Sequence, residues 1–536
     1  MILRILVLLL FPAISFAQQL SRPKLVVGLV IDQMRWDYLY RYYDRYEEGG
    51  FKRLLKEGFS CENTFINYTP TYTGAGHAGI YTGSVPAIHG IMGNSWYSRK
   101  LKRNIYCTSD STVTGVGTTA ASGKMSPVNM WASSITDELR LATNFKSKTI
   151  AISLKDRGAI LPGGHTANAA YWFDNVSGGW ISSSFYIKEL PEWVKQFNAR
   201  NLPLQYLSQN WNTLYNISTY TQSISDSNNY ESKLGGRSLS FPHITSDLTK
   251  NKYEVFRYMP ASNTYSFEFA KKAIESEQLG RRGVADFLAL SLSQPDYAGH
   301  GFAPQSVEME DTYLRLDRDL AAFLKYLDLA VGKNNYLLFL TADHGAAINP
   351  VYAADMGMQA GIFKESIIKK ELDSLLENEF KVKGIVERWV NYQVYLNREI
   401  ISKEKLNRTE IVSFIKERLK KEQGILYVVD LQQLETAQVQ RNIKTMLLNG
   451  FNETHSGDIQ YILKPQWFEN WNLGTNHGAW NPYDSHIPLI FMGWNISPGR
   501  SYREIYMQDI APTVAALLKI QMPNGSVGRV IEEVVR

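Results

Sequence analysis

Four strongly apolar runs stand out along the chain. They read KLVVGLVI from Lys24, TIAISL from Thr149, FLALSLSQP from Phe287 and NYLLFLTA from Asn335. Short apolar runs of this kind predict strands that are buried on both faces of a parallel sheet. Helix-like segments alternate with strand-like ones over residues 24–148 and again from about residue 267. The pattern therefore predicts an α/β fold, with a doubly wound, mostly parallel sheet and helices on both faces.

Two long stretches interrupt this alternation. Residues 166–263 are rich in Trp, Tyr, Asn and Ser and have little periodicity, whereas residues 349–474 carry Lys/Glu-rich helical patterns and the strand-like WVNYQVYLN. Segments of this length without a core pattern of their own are typical of inserted functional regions. We therefore predict one catalytic domain, residues 18–536, that carries an inserted cap region at 166–263 and a second insertion at 349–474.

The first 17 residues have the features of a secretory signal peptide. MILRILVLLLFPAISFA combines an early Arg, an apolar centre and small residues before a predicted cleavage after Ala17. No later segment is long and apolar enough to span a bilayer. We expect a periplasmic or secreted protein, by default a monomer, in which Cys61 and Cys107 form one disulfide or remain two free thiols.

The composition and net charge say little about which molecules the protein binds. The 536 residues are 44% hydrophobic and carry a net charge of +5, which is ordinary for a globular protein. So small a charge on so long a chain gives no reason to expect a nucleic-acid partner or a membrane surface.

Three aspartates follow strand-like runs, and two of them have a histidine close by. Asp32 follows the first run, Asp296 precedes His300 by four residues, and Asp343 precedes His344 directly. In open α/β sheets, ligands bind beyond the carboxyl ends of the strands, where these side chains would meet. Carboxylates and imidazoles without thiolates suit a divalent metal, and zinc best. The arrangement predicts a metallohydrolase.

Further polar residues fit such a centre. In PTYTGAGHAGIYTG, Thr71 or Thr73 is expected to cap a short helix, where a hydroxyl beside zinc could attack phosphorus. Lys155 and Arg157 are two residues apart on a predicted extended segment, so their side chains would project to the same side and bind phosphoryl oxygens. Asn94 could donate a further hydrogen bond to the same group.

His477, in the loop GTNHGAW, would add a third imidazole to a two-metal site. The remaining histidines are expected to be structural, with the first two orienting the nucleophile helix and the last packing at the start of a strand: His77, His89, His165, His243, His455 and His486.

Six motifs, in this order, together resemble the alkaline phosphatase superfamily. They are VIDQMRWDYL, PTYTGAGHAGIYTGSVPAIHGIMGNSWY, SLKDRGAILPGGH, SQPDYAGHGF, LTADHG and NHGAW. The chain is most similar to exported, phosphate-irrepressible alkaline phosphatases, on the branch shared with nucleotide pyrophosphatase/phosphodiesterases. Because the motifs extend from near the mature N-terminus to Trp480, the resemblance covers nearly the whole chain.

The resemblance implies two zinc ions, a phosphothreonine intermediate and small phosphomonoester substrates. One zinc would be held by Asp296, His300 and His477. The other would be held by Asp32, Asp343 and His344, next to Thr73, which the family motif selects over Thr71. Asn94, Lys155 and Arg157 match the residues that contact the phosphoryl group, and the two cations favour monoesters over diesters.

Several other functions are weaker interpretations. A phosphodiesterase of the same superfamily is the nearest, although Lys155 and Arg157 argue against it. A sulfatase would need a Cys-x-Pro-x-Arg sequence around a cysteine, which neither Cys61 nor Cys107 has. Export and a threonine nucleophile disfavour a phosphoglycerate mutase. A non-catalytic, zinc-stabilised binding protein would retain the metal centre but form no phosphoenzyme.

Overall fold

A computed structural model describes residues 21–469 and 471–536. The predicted signal peptide, residues 1–17, lies outside the described residues. The strands are β1 (Leu25–Ile31), β2 (Phe59–Phe65), β3 (Ser95–Ser98), β4 (Arg103–Tyr106), β5 (Gly115–Val116), β6 (Thr149–Ser153), β7 (Ala169–Phe173), β8 (Trp180–Ser183), β9 (Asp286–Leu292), β10 (Tyr336–Thr341), β11 (Gly361–Phe363), β12 (Val386–Val390), β13 (Gln393–Leu396), β14 (Ile425–Asp430), β15 (Ile459–Leu463), β16 (Trp467–Glu469), β17 (His486–Ile487), β18 (Leu489–Gly493) and β19 (Gly499–Tyr506).

The α-helices are α1 (Tyr38–Arg41), α2 (Phe51–Glu57), α3 (Thr73–Thr82), α4 (Pro86–His89), α5 (Ile135–Ala142), α6 (Asp156–Gly163), α7 (Glu192–Ala199), α8 (Leu202–Leu207), α9 (Lys252–Phe256), α10 (Ala261–Glu277), α11 (Gln294–Phe302), α12 (Val307–Leu327), α13 (Pro350–Asp355), α14 (Glu365–Phe380), α15 (Arg398–Lys403), α16 (Arg408–Leu419), α17 (Arg441–Gly450), α18 (Pro482–Ser485), α19 (Ile510–Leu518) and α20 (Glu532–Val535).

Among the described residues, eleven strands form the main sheet, in the order β17-β2-β18-β10-β1-β9-β6-β7-β8-β5, with β19 added beside β2. The five central strands, β10-β1-β9-β6-β7, are parallel, whereas β18 and β8 pair antiparallel with the outer two. Every residue of β1, β9 and β10 is buried, as the continuous apolar runs predict. The predicted α/β fold with a parallel central sheet is confirmed.

Helices cover both faces of this sheet. One group packs together as α3, α5, α6 and α19, and another as α2, α10, α11 and α12. Helices α6 and α10 come from different groups and both contact β6 and β9, so they lie on opposite faces of the same strands. No helix among residues 21–469 and 471–536 is long and apolar enough to cross a membrane.

The first predicted cap, residues 166–263, begins too early. Its first two apolar segments are β7 and β8, which extend the main sheet. The aromatic residues that gave this region its unusual composition partly belong to the core, since Trp172 and Trp180 are fully buried. The irregular part therefore starts after β8 and consists of α7, α8, α9 and long turns.

The second predicted insertion, residues 349–474, contains a four-stranded antiparallel sheet in the order β12-β13-β15-β14. This sheet and helices α14 and α16 share an apolar cluster that includes Leu372, Val394 and Ile411. The expected single strand WVNYQVYLN is a hairpin, because Asn391 and Tyr392 adopt positive φ angles of 59° and 61°, as a tight turn requires.

Of the two alternatives for the cysteines, the structure has the free thiols. Cys61, on β2, and Cys107, after β4, are both buried, and they belong to different apolar clusters.

Candidate active site

Three neighbouring strands bring the predicted carboxylates together. Asp32 directly follows β1, and one residue, Ala342, separates Asp343 from the end of β10. Asp296 lies in the first turn of α11, which begins two residues after β9. Because β1 lies between β9 and β10 in parallel register, all three side chains meet at one edge of the sheet.

Asp296 is at the centre of one group of candidate metal ligands. Its Oδ1 lies 3.3 Å from His300 Nε2 and 3.6 Å from His477 Nε2. His300 reaches this point because it is one helical turn after Asp296 on α11. These three side chains offer ligand atoms close enough to share one ion.

A second group contains Asp32, His344 and again Asp296. His344 Nε2 lies 3.5 Å from Asp32 Oδ1 and 3.9 Å from Asp296 Oδ1. Asp343, which the family resemblance assigns to this group, has its Oδ2 3.6 Å from the same nitrogen. Its Oδ1 instead accepts a hydrogen bond from the backbone N–H of Gln33, at 3.2 Å. The geometry thus makes Asp296 common to both groups.

The three imidazoles are held in a single orientation by backbone carbonyls. Nδ1 of His300 lies 2.9 Å from the Thr475 carbonyl oxygen, and Nδ1 of His344 lies 2.9 Å from that of Gly345. Nδ1 of His477 lies 2.7 Å from the Thr71 carbonyl oxygen. Since a carbonyl can only accept, the proton belongs on Nδ1 and Nε2 keeps its lone pair facing the carboxylates.

Electrostatics of the site favour a bound cation. Burial and the nearby Asp343 carboxylate raise the pKa of Asp32 well above its usual value, although Lys155 opposes them. Burial lowers the pKa of His344 and of His477, so both stay neutral. Among the described residues, Asp32 Oδ1 is buried without a hydrogen-bond partner, and Asp343 Oδ2 is buried 3.2 Å from His77 Nδ1. Neutral imidazoles beside buried carboxylate oxygens fit a divalent metal such as zinc.

Thr73 is fully buried at the start of α3, but neither it nor Thr71 caps the helix. The N-cap residue is Tyr72, which makes no side-chain cap hydrogen bond, and Thr71 Oγ1 donates to the Ala479 carbonyl instead. The Thr73 hydroxyl is thus not used for capping, and its Oγ1 lies 3.4 Å from His344 Nε2. This position is consistent with a nucleophile at the edge of the candidate metal centre.

A glycine lets α3 approach the loop that carries Asp343. A Cβ placed on Gly76 would lie 2.7 Å from Asp343 Cβ and closer still to the Asp343 carbonyl oxygen. Only glycine allows so close an approach, which explains the glycine in this part of the motif.

The predicted extended geometry of Lys155 and Arg157 is wrong. Strand β6 ends at Ser153, Lys155 is the N-cap of α6, and Arg157 lies in the first turn of that helix. Lys155 Nζ contacts Asp296 Oδ2 and lies 2.7 Å from Asp32 Oδ2. Burial acts against the ammonium, but the Asp296 and Asp32 carboxylates outweigh it and raise the pKa of Lys155.

Asn94 contacts α3, and Arg157 lies on α6, which packs against α3. Asn94 Oδ1 accepts the Gly74 N–H at 2.9 Å, which leaves the Asn94 amide group to act as a donor. Arg157 Nη1 donates to Tyr106 Oη at 3.0 Å, and this tyrosine also hydrogen-bonds Asp156. Burial opposes the charge of Arg157, but Tyr106 and Asp156 raise its pKa well above the usual value.

Sequence reasoning missed two residues of the site. Gln33 donates from Nε2 to Asp296 Oδ1 at 2.8 Å, and its own φ of 62° is unusual for a non-glycine residue. Its position directly after Asp32 is the one feature of the sequence that could have identified Gln33 as a site residue. Tyr106 had no signal, because only the β3–β4 hairpin brings it to Arg157.

The histidines that were expected to be structural lie outside the two candidate ligand groups. His77 touches Asp343, with Nδ1 3.2 Å from Oδ2, and His243 pairs with Glu308 at 2.7 Å. His89 accepts a hydrogen bond from the Ile91 N–H, and His165 contacts Asp137. His455 and His486 each stack on a tryptophan ring.

Comparisons with known proteins agree on one family. The model for type I phosphodiesterase / nucleotide pyrophosphatase matches residues 26–484. Alkaline phosphatase PhoV of Synechococcus elongatus is 51% identical over 97% of this chain and 94% of its own. A Myroides odoratus protein named calcium-transporting ATPase is 51% identical over 98% and 96% of the two chains. The crystal structure of alkaline phosphatase PafA matches with a TM-score of 0.94 and 48% identity, over 96% of this chain and 100% of that one.

The fold and the site define an α/β enzyme with a carboxylate–imidazole centre beyond the ends of its parallel strands. The chain belongs to the type I phosphodiesterase / nucleotide pyrophosphatase family, within the alkaline phosphatase superfamily.

Proposed function

We propose that the protein is an exported, zinc-dependent alkaline phosphatase that hydrolyses small phosphomonoesters through a phosphothreonine intermediate. The observation that carries this proposal is the position of the Thr73 hydroxyl, 3.4 Å from His344 Nε2 at the edge of the two ligand groups. Similarity to alkaline phosphatases PhoV and PafA over nearly the whole chain supports the same activity.

Two zinc ions would be held by the residues described above. Asp296, His300 and His477 would bind one ion, and Asp32, His344 and Asp343, whose Oδ2 lies 3.6 Å from His344 Nε2, would bind the other. When bound, the ions would supply Lewis-acid stabilisation of the negative charge on the attacking and leaving oxygens.

The chain's own residues would position the phosphoryl group and supply the nucleophile. Thr73 Oγ1 would give its proton to solvent and attack phosphorus, and the bond from phosphorus to the leaving oxygen would break on the opposite side, with that oxygen taking a proton from solvent to leave as the alcohol. Water would then attack phosphorus and break the bond to Thr73 Oγ1, which regains a proton as phosphate is released. The Asn94 amide and the Arg157 guanidinium would hold the non-bridging oxygens, since Asn94 contacts the first turn of α3 and Arg157 lies on the neighbouring helix α6.

Lys155 and Arg157 favour monoesters over diesters. A phosphomonoester dianion presents one more charged oxygen than a diester, and two cations can stabilise it. A diester would place its second organic group against this buried, cationic side, since Lys155 is only 4% exposed. Low diesterase activity remains the second candidate because the family model bears that name.

The name of the Myroides relative refers to ATP hydrolysis. The terminal phosphoryl group of ATP is also dianionic, so release of phosphate from ATP would be compatible with both names. Transport is a separate activity, and we do not propose it for this chain.

Trapping the phosphoenzyme tests the nucleophile. The protein is incubated with radiolabelled substrate, quenched in acid and digested, and the labelled peptide is sequenced. We expect label on Thr73, retained in Thr73→Ser and absent in Thr73→Ala. Full phosphatase activity in Thr73→Ala would refute the assignment. Bound zinc without any phosphoenzyme in the parent protein would instead support a non-catalytic binding protein.

Export and a monomeric state belong to the same proposal. The predicted signal peptide supports export, and N-terminal sequencing of protein from the periplasm or medium would test cleavage after Ala17. An intact N-terminus on protein retained in the cytoplasm would contradict it.

A further inference from the structure

A cleft of about 580 Å³ opens beside His300. Its floor is one face of α11, formed by Tyr297, His300 and Gly301, which are three and four residues apart on the helix. Its walls include Tyr258 and Trp471. The volume is within the range of small-molecule binding sites.

The cleft meets the candidate metal centre at His300. The His300 side chain is 24% exposed, whereas those of His344 and His477 are 0% and 4% exposed. The centre is therefore most open to solvent on the side of His300. A group that leaves phosphorus on this side would enter the cleft.

Aromatic rings surround this exit. The His300 and Trp471 rings lie 5.6 Å apart, centroid to centroid, at an angle of 54°. The Tyr258 and Tyr297 rings are also 5.6 Å apart, at 48°. Tyr297 is fixed from outside the cleft, because Arg257 donates to its hydroxyl at 2.7 Å. Rings held at these angles offer faces and edges to a planar ligand.

Basic residues lie at the rim of the cleft. Lys233 and Lys250, from the first insertion, are exposed lining residues, and neither is ion-paired with a described residue. Their charge would attract a phosphomonoester dianion towards the centre, and it adds no preference for one leaving group over another.

We propose that this cleft is a leaving-group subsite for a planar aromatic ring, so that nucleoside monophosphates are preferred over phosphomonoesters of the same alcohol class that have no aromatic ring. The proposal rests on the proposed phosphatase function. It assigns Trp471 and Tyr258 to substrate specificity and not to the chemical step.

Adenosine 5′-monophosphate and ribose 5-phosphate are a matched pair of substrates. Both release phosphate from a primary alcohol on a ribose, so their intrinsic reactivity is similar, and only the nucleotide carries an aromatic ring. We expect kcat/KM to be about tenfold higher for the nucleotide, from stacking alone. Trp471→Ala should remove most of this preference by lowering kcat/KM for the nucleotide, while Trp471→Phe should retain the preference.

Tyr502→Ala is the control for removing an exposed aromatic side chain, because Tyr502 is 69% exposed on the edge strand β19. It should change neither substrate. Equal kcat/KM for the two substrates, or a preference that Trp471→Ala and Tyr258→Ala leave intact, would overturn the subsite.

Binding without catalysis separates this proposal from the proposed function. Calorimetric titration of Thr73→Ala protein with adenosine should detect binding. Adding Trp471→Ala to the same protein should weaken that binding several-fold. If neither phosphate ester is hydrolysed but adenosine still binds, the phosphatase assignment fails and the cleft remains. If both esters are hydrolysed and adenosine does not bind, the cleft assignment fails alone.

Discussion

Gly76→Ala tests whether the close contact between α3 and Asp343 sets the geometry of the site. The added Cβ would lie 2.7 Å from Asp343 Cβ, so helix and loop must separate by roughly 1 Å to reach ordinary contact. A displacement of this size can cost about 100-fold in rate when it affects a nucleophile. Crowding in a packed core costs about 1–3 kcal/mol in the free energy of unfolding.

Gly79→Ala is the matched control in the same helix. Its Cβ would meet Met507 Sδ at 3.2 Å, and a methionine side chain can move aside. Both substitutions gain about 1 kcal/mol of helix propensity, which cancels in the comparison. Urea unfolding and kcat/KM for p-nitrophenyl phosphate would be measured for both. We expect Gly79→Ala to resemble the parent and Gly76→Ala to lose activity; equal activity in the two variants would refute the reasoning.

Three further substitutions address the cations and a buried acid. Lys155→Met should lower kcat/KM for monoesters at least about tenfold more than for diesters, because it removes a cation that only the additional charged oxygen requires; equal losses in parallel assays would contradict this. Tyr106→Phe removes the hydroxyl that hydrogen-bonds Arg157, and should raise KM for p-nitrophenyl phosphate about fivefold; an unchanged KM would show that Tyr106 does not position Arg157. Burial raises the pKa of Asp317 to about 6, so its stabilising contribution is present below about pH 4 and is lost, by about 3 kcal/mol, as the pH rises to about 6. Asp317→Asn should therefore flatten the dependence of unfolding free energy on pH between 4 and 6, and an unaltered slope would contradict the assignment.

The strand ends could be predicted because a strand buried in a parallel sheet is a continuous apolar run, and the first polar residue after the run marks its end. Asp32, Asp296 and Asp343 each follow such a run, and strand adjacency brings them together. The spacing of four between Asp296 and His300 matches one helical turn. The α/β fold and the family resemblance are both confirmed.

Details that depend on side-chain packing could not be derived from spacing. Thr71 and Thr73 were expected at a helix cap, but Tyr72 occupies that position, and only the family motif separated the two threonines. Lys155 and Arg157 were placed on an extended segment, although helix α6 begins between them. The first cap boundary was misplaced because short aromatic strands at a sheet edge resemble irregular chain in composition.

The place of Asp296 in both candidate ligand groups illustrates a further limit of prediction from sequence. One carboxylate oxygen faces His300, His477 and His344, while Asp343 bonds to Gln33. Rotamers decide this grouping, and no residue spacing encodes them.

Side-by-side hydrolysis of p-nitrophenyl phosphate and bis-p-nitrophenyl phosphate tests the central claim most directly. Purified protein would be assayed zinc-loaded, after chelation and after zinc is restored, with metal content measured at each step. We predict a strong preference for the monoester that is lost on chelation and returns with zinc. A preference for the diester, or monoester hydrolysis that survives complete removal of metal, would contradict the account.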